Sequence, residues 1–330
     1  MAVKTLQYAS PITADTARGP SQSIWYDCPL EDFIQGYGGG IGTAGYMAQD
    51  DFISCPFPAL NAQASFGQWS CFADTGSTIV DQNEEGGVVM LNNGTAGKTV
   101  LLASSAGSFK MVSGASGFPL GQKLWFECRV AMGAISGATE GYFVGLADNT
   151  STQITSSSST ILATTANSFT GTKGFFGFTR LESAPTDWKV AYQVAGGSTV
   201  APTNLTTLVT TVAGTAPVAY ASTTNGNGKG FVKLGFVFDP TAGNPSVAVS
   251  TTTGDGTLTQ TAGAILKPII KFYVNGQLCN TFLDPTLLQN ARFPTARMAP
   301  VIQFMDASGG GGSSTGLAVD WIRVAQLASF

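Results

Sequence analysis

The chain contains no histidine. Histidine is the usual general base near neutral pH and the commonest metal ligand, so Ser-His-Asp and Cys-His nucleophile systems and His-ligated zinc are excluded. Any catalysis would have to use carboxylate, lysine or tyrosine. Charge is scarce as well: 11% of the 330 residues are charged, against about 25% in an average globular protein. The 16 basic and 20 acidic residues leave a net charge of −4, and the basic ones form no dense cluster. A phosphate-tracking nucleic-acid surface and a polybasic membrane anchor are therefore not expected. No run nears the roughly 18 apolar residues of a transmembrane helix. The start, Met1-Ala-Val-Lys-Thr-Leu-Gln-Tyr, lacks the apolar core of a signal peptide. Cys28, Cys55, Cys71, Cys128 and Cys279 are widely spaced with no Cys-x-x-Cys, which excludes a zinc ribbon or redox pair. The expectation is free thiols in a reducing cytosol, with Cys128 and Cys279 as small core residues.

Convincing amphipathic helix patterns are missing too; residues 286–291 have room for one or two turns. Strand patterns are plentiful instead, and a hydrophobic content of 43% can fill a sizeable core. Leu124-Trp-Phe-Glu-Cys-Arg-Val alternates, with Leu124, Phe126, Cys128 and Val130 on one face and Trp125, Glu127 and Arg129 on the other. Gly141-Tyr-Phe-Val-Gly-Leu-Ala-Asp, Gly174-Phe-Phe-Gly-Phe, Trp188-Lys-Val-Ala-Tyr-Gln-Val and Phe231-Val-Lys-Leu-Gly-Phe-Val-Phe follow. In the last of these, Val232, Leu234, Phe236 and Phe238 share a face. Gly177 and Gly235, inside strands, predict curvature or bulges. Ile270-Lys-Phe-Tyr-Val-Asn-Gly-Gln-Leu-Cys is a hairpin whose Asn275-Gly276 turn accepts positive φ. A two-residue turn sets Val274 opposite Gln277, Phe272 opposite Cys279 and Ile270 opposite Thr281. Many strands without alternating helices predict an all-β, antiparallel sandwich, and the strand glycines favour a curved jelly roll.

Residues 1–47 show no such period and read as an irregular, extended N-terminal arm before a sandwich spanning 48–330. Trp25, Tyr26, Phe33 and Tyr46 are its candidate anchors, either on its own body or on a neighbour. Gly38-Gly39-Gly40-Ile41-Gly42 lacks the Lys-Ser/Thr partner and following helix of a phosphate loop, so no nucleotide or other cofactor is expected. Two long loops, about 196–230 and 240–263, are nearly uncharged and read as protein-contacting segments. Gly309–Gly312 reads as a flexible link to the last strand.

Taken in order, Leu124-Trp-Phe-Glu-Cys-Arg-Val, Tyr142-Phe-Val-Gly-Leu-Ala-Asp, Val232-Lys-Leu-Gly-Phe-Val-Phe-Asp, Lys271-Phe-Tyr-Val-Asn-Gly, Met298-Ala-Pro-Val-Ile-Gln and Leu317-Ala-Val-Asp-Trp-Ile-Arg-Val-Ala-Gln resemble the concanavalin-A-like lectin/glucanase jelly roll. The likeness is to versions found in tailed-bacteriophage virions. It implies a capsid decoration or head-associated subunit, synthesised in the bacterial host cytoplasm and residing in the virion. Its expected partners are the major capsid protein or other virion proteins, and copies of itself, with a trimer favoured.

Two other functions would each need a recognisable set of residues. Glucanases of this fold place a Glu-x-Asp-x-x-Glu run on one strand face, supplying nucleophile and acid; no such spacing occurs here. Glu84-Glu85 falls in a turn, Glu127 is expected to pair with Arg129, and Asp306 and Asp320 read as strand-end or ladder residues. No catalytic residue is assigned. A carbohydrate-binding module, recognising a host-surface glycan, would need an exposed aromatic platform. Trp125, Trp188 and Tyr192 are its candidates, although packing under the long loops or at a subunit interface, where aromatics are enriched, is the favoured reading of all three. Asp148-Asn149 is the only hint of a lectin-type calcium site, and no metal is expected.

Overall fold

The computed structural model describes residues 18–30, 33, 45–53, 64–82, 87–93, 95–104, 107, 109–111, 121–133, 139–148, 160–163, 168–181, 188–197, 220, 230–240, 269–282, 293–307 and 316–328. Cys55, Glu84-Glu85, Asn149, the glycine runs at 38–42 and 309–312, residues 286–291 and most of both long loops lie outside the described residues.

Alternating sequence becomes strand throughout. In chain order the strands are β1 (Gly45–Asp50), β2 (Ala64–Phe66), β3 (Trp69–Ala73), β4 (Ser77–Asp81), β5 (Val89–Asn93), β6 (Lys98–Ser104), β7 (Leu124–Met132), β8 (Glu140–Asp148), β9 (Phe175–Arg180), β10 (Lys189–Gln193), β11 (Phe231–Asp239), β12 (Ile269–Val274), β13 (Gln277–Phe282), β14 (Met298–Asp306) and β15 (Gly316–Leu327). A short helix, α1 (Gln22–Trp25), precedes them, and Leu30 and Phe33 are also helical. The larger sheet, A, runs β13-β12-β11-β7-β15-β5-β4, with β1 also on β15; sheet B runs β10-β9-β8-β14-β6-β3-β2. Every pairing is antiparallel. The chain passes repeatedly between sheets, as a jelly-roll sandwich requires.

The period-2 rule fixes the core. Leu124, Phe126, Cys128 and Val130 of β7 and Leu234, Phe236 and Phe238 of β11 enter the space between the sheets, with Val232 partly buried beside them. They meet Tyr142, Val144 and Leu146 of β8 and Phe176 and Phe178 of β9. Phe126 stacks on Phe236 at 4.9 Å, and Phe176 meets Phe236 edge-on at 4.9 Å, both within the favoured range for ring pairs.

The hairpin turn forms as expected: Asn275 and Gly276 have φ of 50° and 78°, and Val274 pairs with Gln277. Beyond it the register departs from expectation. Phe272 pairs with Asn280 and Ile270 with Phe282, because a bulge leaves Cys279 as the extra residue. A bulge on an edge strand twists its ladder away from foreign strands.

The strand glycines mark close approach. Gly145 and Gly177 pair directly, and the Phe143 ring lies across both. Gly235 is a notch, since a methyl group there would overlap Cδ1 of Ile24.

Neither outer face is bare. Residues 160–163 and 168–170 lay Ile161, Leu162 and Phe169 over Phe143, Phe175 and Val301 of sheet B. The segment 18–33 covers sheet A.

Candidate functional site

The covered outer face of sheet A carries Glu127 and Arg129 of β7, Lys233 of β11, and Asp320 and Arg323 of β15. Arm residues 18–33 reach it through α1, one turn of helix that directs Ile24 and Trp25 inward and leaves Tyr26 62% exposed. Ile24, Trp25, Cys28, Leu30 and Phe33 pack on Trp125, Val237, Tyr273 and Ala325, the outward residues of β7, β11, β12 and β15.

Three polar contacts hold the arm in place. The first is at Glu127, fully buried on β7: Trp25 Nε1 donates to it at 2.7 Å and the Ser21 amide at 2.9 Å. Burial pushes the Glu127 carboxyl above its ordinary value, and hydrogen bonds from Ser21 and Trp25, together with the charge of nearby Lys233, pull it part of the way back. Lys233 also donates to the Gly19 carbonyl at 3.2 Å.

The second is at Asp320. A bulge in β15 pairs Val319 with Val130 and Trp321 with Arg129, leaving Asp320 as the extra residue. Two consecutive side chains, Asp320 and Trp321, therefore face outward. Arg18 grips Asp320 through Nε at 3.0 Å and Nη2 at 2.5 Å, and Arg129 binds its other oxygen. Trp321 Nε1 donates to the Arg18 carbonyl at 2.7 Å. The expected Glu127–Arg129 pair does not form. Arg129 turns to Asp320 across the strand and lies 4.1 Å from the Phe231 ring, while Glu127 is claimed by the arm.

The third is at Asp27, which accepts from Lys123 Nζ at 2.5 Å and Trp125 Nε1 at 2.9 Å. Burial lowers the Lys123 pKa, but its bonds to Asp27 and Asp239 outweigh that and leave it raised. Arg323 lies over the Trp25 ring at 5.5 Å. Ser23 Oγ donates to the Gly276 carbonyl of the hairpin turn, whose Asn275 Oδ1 accepts from the Lys233 amide at 2.9 Å. Burial and the neighbouring Asp27 push the Cys28 thiol far above its ordinary value, so it is no nucleophile.

The three aromatics expected to be exposed are each 1% exposed. Trp125 does face outward, as its alternation required, but the arm covers it. Trp188 and Tyr192 point between the sheets, Trp188 beside Tyr142 and Tyr192 against Phe176 and Phe293. Of the four candidate anchors, Trp25 and Phe33 are buried on the sheet-A face. Tyr46 lies on β1, its hydroxyl donating to Gln326 Oε1 at 2.7 Å. Asp306 ends β14 and accepts from Thr139 Oγ1 at 2.9 Å; Asp148 ends β8. Among the described residues no group of three Cys, Asp or Glu side chains is placed to hold a metal ion.

Beside the arm lies a cavity of about 490 Å³, lined in part by Arg18, Asp50, Asp51, Ile53, Trp321 and Arg323. Asp50 is bound within the chain, accepting from Trp69 Nε1 at 2.6 Å and the Phe52 amide at 2.8 Å.

No family model matches the chain, and no curated protein matches it. Solved structures are similar in outline. Peanut lectin with a 9mer peptide is 14% identical, over 86% of this chain and 98% of the lectin, with a TM-score of 0.44. The carbohydrate recognition domain of Emp47p is 12% identical over 82% and 95%, with a TM-score of 0.44. A Bacillus licheniformis β-glucanase is 11% identical over 86% and 99%, with a TM-score of 0.39. At these scores the likeness carries nothing about activity, and the sandwich stands on its own strand pairing.

Proposed function

We propose that this chain is a non-catalytic assembly subunit, acting through protein–protein contacts in a bacteriophage particle, as a capsid decoration or head-associated protein. The observation that carries this reading is where the polar groups on the strands are used. Glu127 and Asp320, the carboxylates at the centre of the larger sheet, are bound by the arm's own donors. Trp125, Trp188 and Tyr192 are buried. The side chains that could have done chemistry or stacked on a sugar hold the chain together instead. A charge-poor exterior suits large contact surfaces, and the six strand motifs resemble those of virion jelly rolls. The test is to mix the purified chain with particles of the encoding phage that lack it. Co-sedimentation with the particles is expected. A chain that stays in the supernatant would overturn the reading.

One feature favours a second reading, a glycan-binding module. The cavity beside the arm falls in the size range of small-ligand sites and combines Trp321 with the polar groups of Asp51 and Arg323. Clear hits on a glycan array, lost in Trp321→Ala, would establish it.

A further inference from the structure

From the way the arm is attached, we infer that segment 18–33 is exchangeable, and that its seat on sheet A accepts the same segment from a second copy of this chain. Three observations lead there.

The first is that the arm completes nothing in the hydrogen-bonded ladders. Its described residues, 18–30 and 33, are helical at Gln22–Trp25, Leu30 and Phe33 and belong to no strand, so both sheets keep their pairings whichever chain supplies it. The second is that the seat is shaped for this sequence. Gly235 leaves room for Ile24, Glu127 receives Trp25 Nε1 and the Ser21 amide, and the Asp320 bulge receives Arg18. A buried aromatic anchor ringed by charge-assisted bonds is how protein–protein interfaces are built.

The third is length. Eleven residues, Ile-Gln-Gly-Tyr-Gly-Gly-Gly-Ile-Gly-Thr-Ala, join Phe33 to Gly45, yet the Phe33 ring already touches Gly45. A stretch of that length reaches about 35–40 Å when extended. That far exceeds what closing on its own body needs and leaves length for the arm to quit its own seat. Exchange of an identical element between protomers creates no new contact type. Tethering favours self-closure until the surrounding concentration approaches the millimolar effective concentration of a short link. A packed array of subunits supplies such a concentration; dilute solution does not.

Complementation tests this with full-length chains. Ile24→Asp disables the arm and leaves the seat; Gly235→Leu fills the seat and leaves the arm. Each variant alone is expected to remain a monomer by native mass spectrometry. Their equimolar mixture is expected to form a heterodimer of doubled mass, in which the arm of the Gly235→Leu chain occupies the seat of the Ile24→Asp chain. A mixture that stays monomeric, with both variants folded by circular dichroism, overturns the inference. If either variant fails to fold, unmodified chains decide. Light and 15N-labelled protein are mixed at about 1 mM and then diluted. Mixed-isotope dimers support exchange; monomers alone overturn it. Neither measurement involves a particle or a glycan, so the result stands apart from the assembly reading.

Discussion

The two sheets of this sandwich are both roofed by their own chain, but with opposite materials. Over sheet B the cover is apolar. Ile161, Leu162 and Phe169 rest on Phe143, Phe175 and Val301, and the main polar fastening is a neutral amide. Gln303 Oε1 accepts from the Ile161 and Leu162 amides at 2.9 and 3.0 Å, while its Nε2 donates to Thr99 Oγ1 at 2.9 Å. Over sheet A the cover is fastened by ionised groups sunk beneath a tryptophan. Burying a charge is costly unless it is paired and hydrogen-bonded. An arm shifted by one residue would take Trp25 and Ser21 from Glu127 and Arg18 from Asp320, leaving Asp320 with Arg129, whereas a small slide of the sheet-B cover disturbs only neutral contacts. The charges on sheet A thus specify one seating of one segment.

The comparison can be broken most severely at Trp25. Trp25→Ala removes the largest arm side chain and the donor to Glu127, and should cost the closed arm about 3–5 kcal/mol. Amide exchange and proteolysis at residues 18–30 should accelerate sharply while β8 and β14 keep their protection. Equal loss in sheet B would show that the two roofs are not independent.

Gln303→Leu probes the other side. It leaves two buried backbone N–H groups without an acceptor, which costs about 1–3 kcal/mol. Exchange should rise at Ile161 and Leu162 and stay unchanged at Trp25.

Acidity should separate the two roofs by sign. The Glu127 carboxyl is raised above 4.5 by burial, so the closed state holds its proton more tightly than the open one. Its contribution is complete below about 4.5 and is lost as pH climbs through the raised value. Protection of the arm should therefore fall over that interval, while the Ile161–Leu162 cover should show no such step. Glu127→Gln should weaken the arm, since one amide oxygen replaces two carboxylate oxygens, and should also remove this pH step from arm exchange.

The smallest effect belongs to Asp27→Asn. Lys123 and Asp27 are partly exposed, and such pairs contribute about 1 kcal/mol or less. A thermal midpoint within a degree or two of the parent is expected; a larger drop would move Asp27 into the same class as Glu127.

Much of the sandwich was legible because alternation is local. The inward face of β7, the shared face of β11 and the Asn275-Gly276 turn all follow from neighbours along the chain. What sits above an outward face does not. Trp125 alternates outward correctly, yet its cover is nearly a hundred residues away in sequence, so its burial left no local trace. Trp188 and Tyr192 were misplaced differently. β10 offers only Val190 as an aliphatic marker of its inner face, and two large amphipathic rings beside it suit either side. Gly235 was read as curvature because a missing side chain announces space without saying what fills it. β15 does carry a local marker of its bulge. Apolar positions fall at Leu317 and Val319 but then at Ile322 and Val324, a slip of phase that marks the bulge presenting Asp320 to Arg18. The Cys279 bulge had no such marker, because polar residues line much of β13.

β15 lies at the middle of sheet A. It pairs with β7 along one edge, and with β5 and then β1 along the other. On the ribosome this strand is made after all its partners. Until it emerges, β1 and β5 have no neighbour joining them to β7, and Arg18 waits some three hundred residues for Asp320. Contacts so distant in sequence slow folding and leave strand edges open meanwhile. The nascent chain should therefore stay incompletely folded until β15 has emerged and slots into the centre.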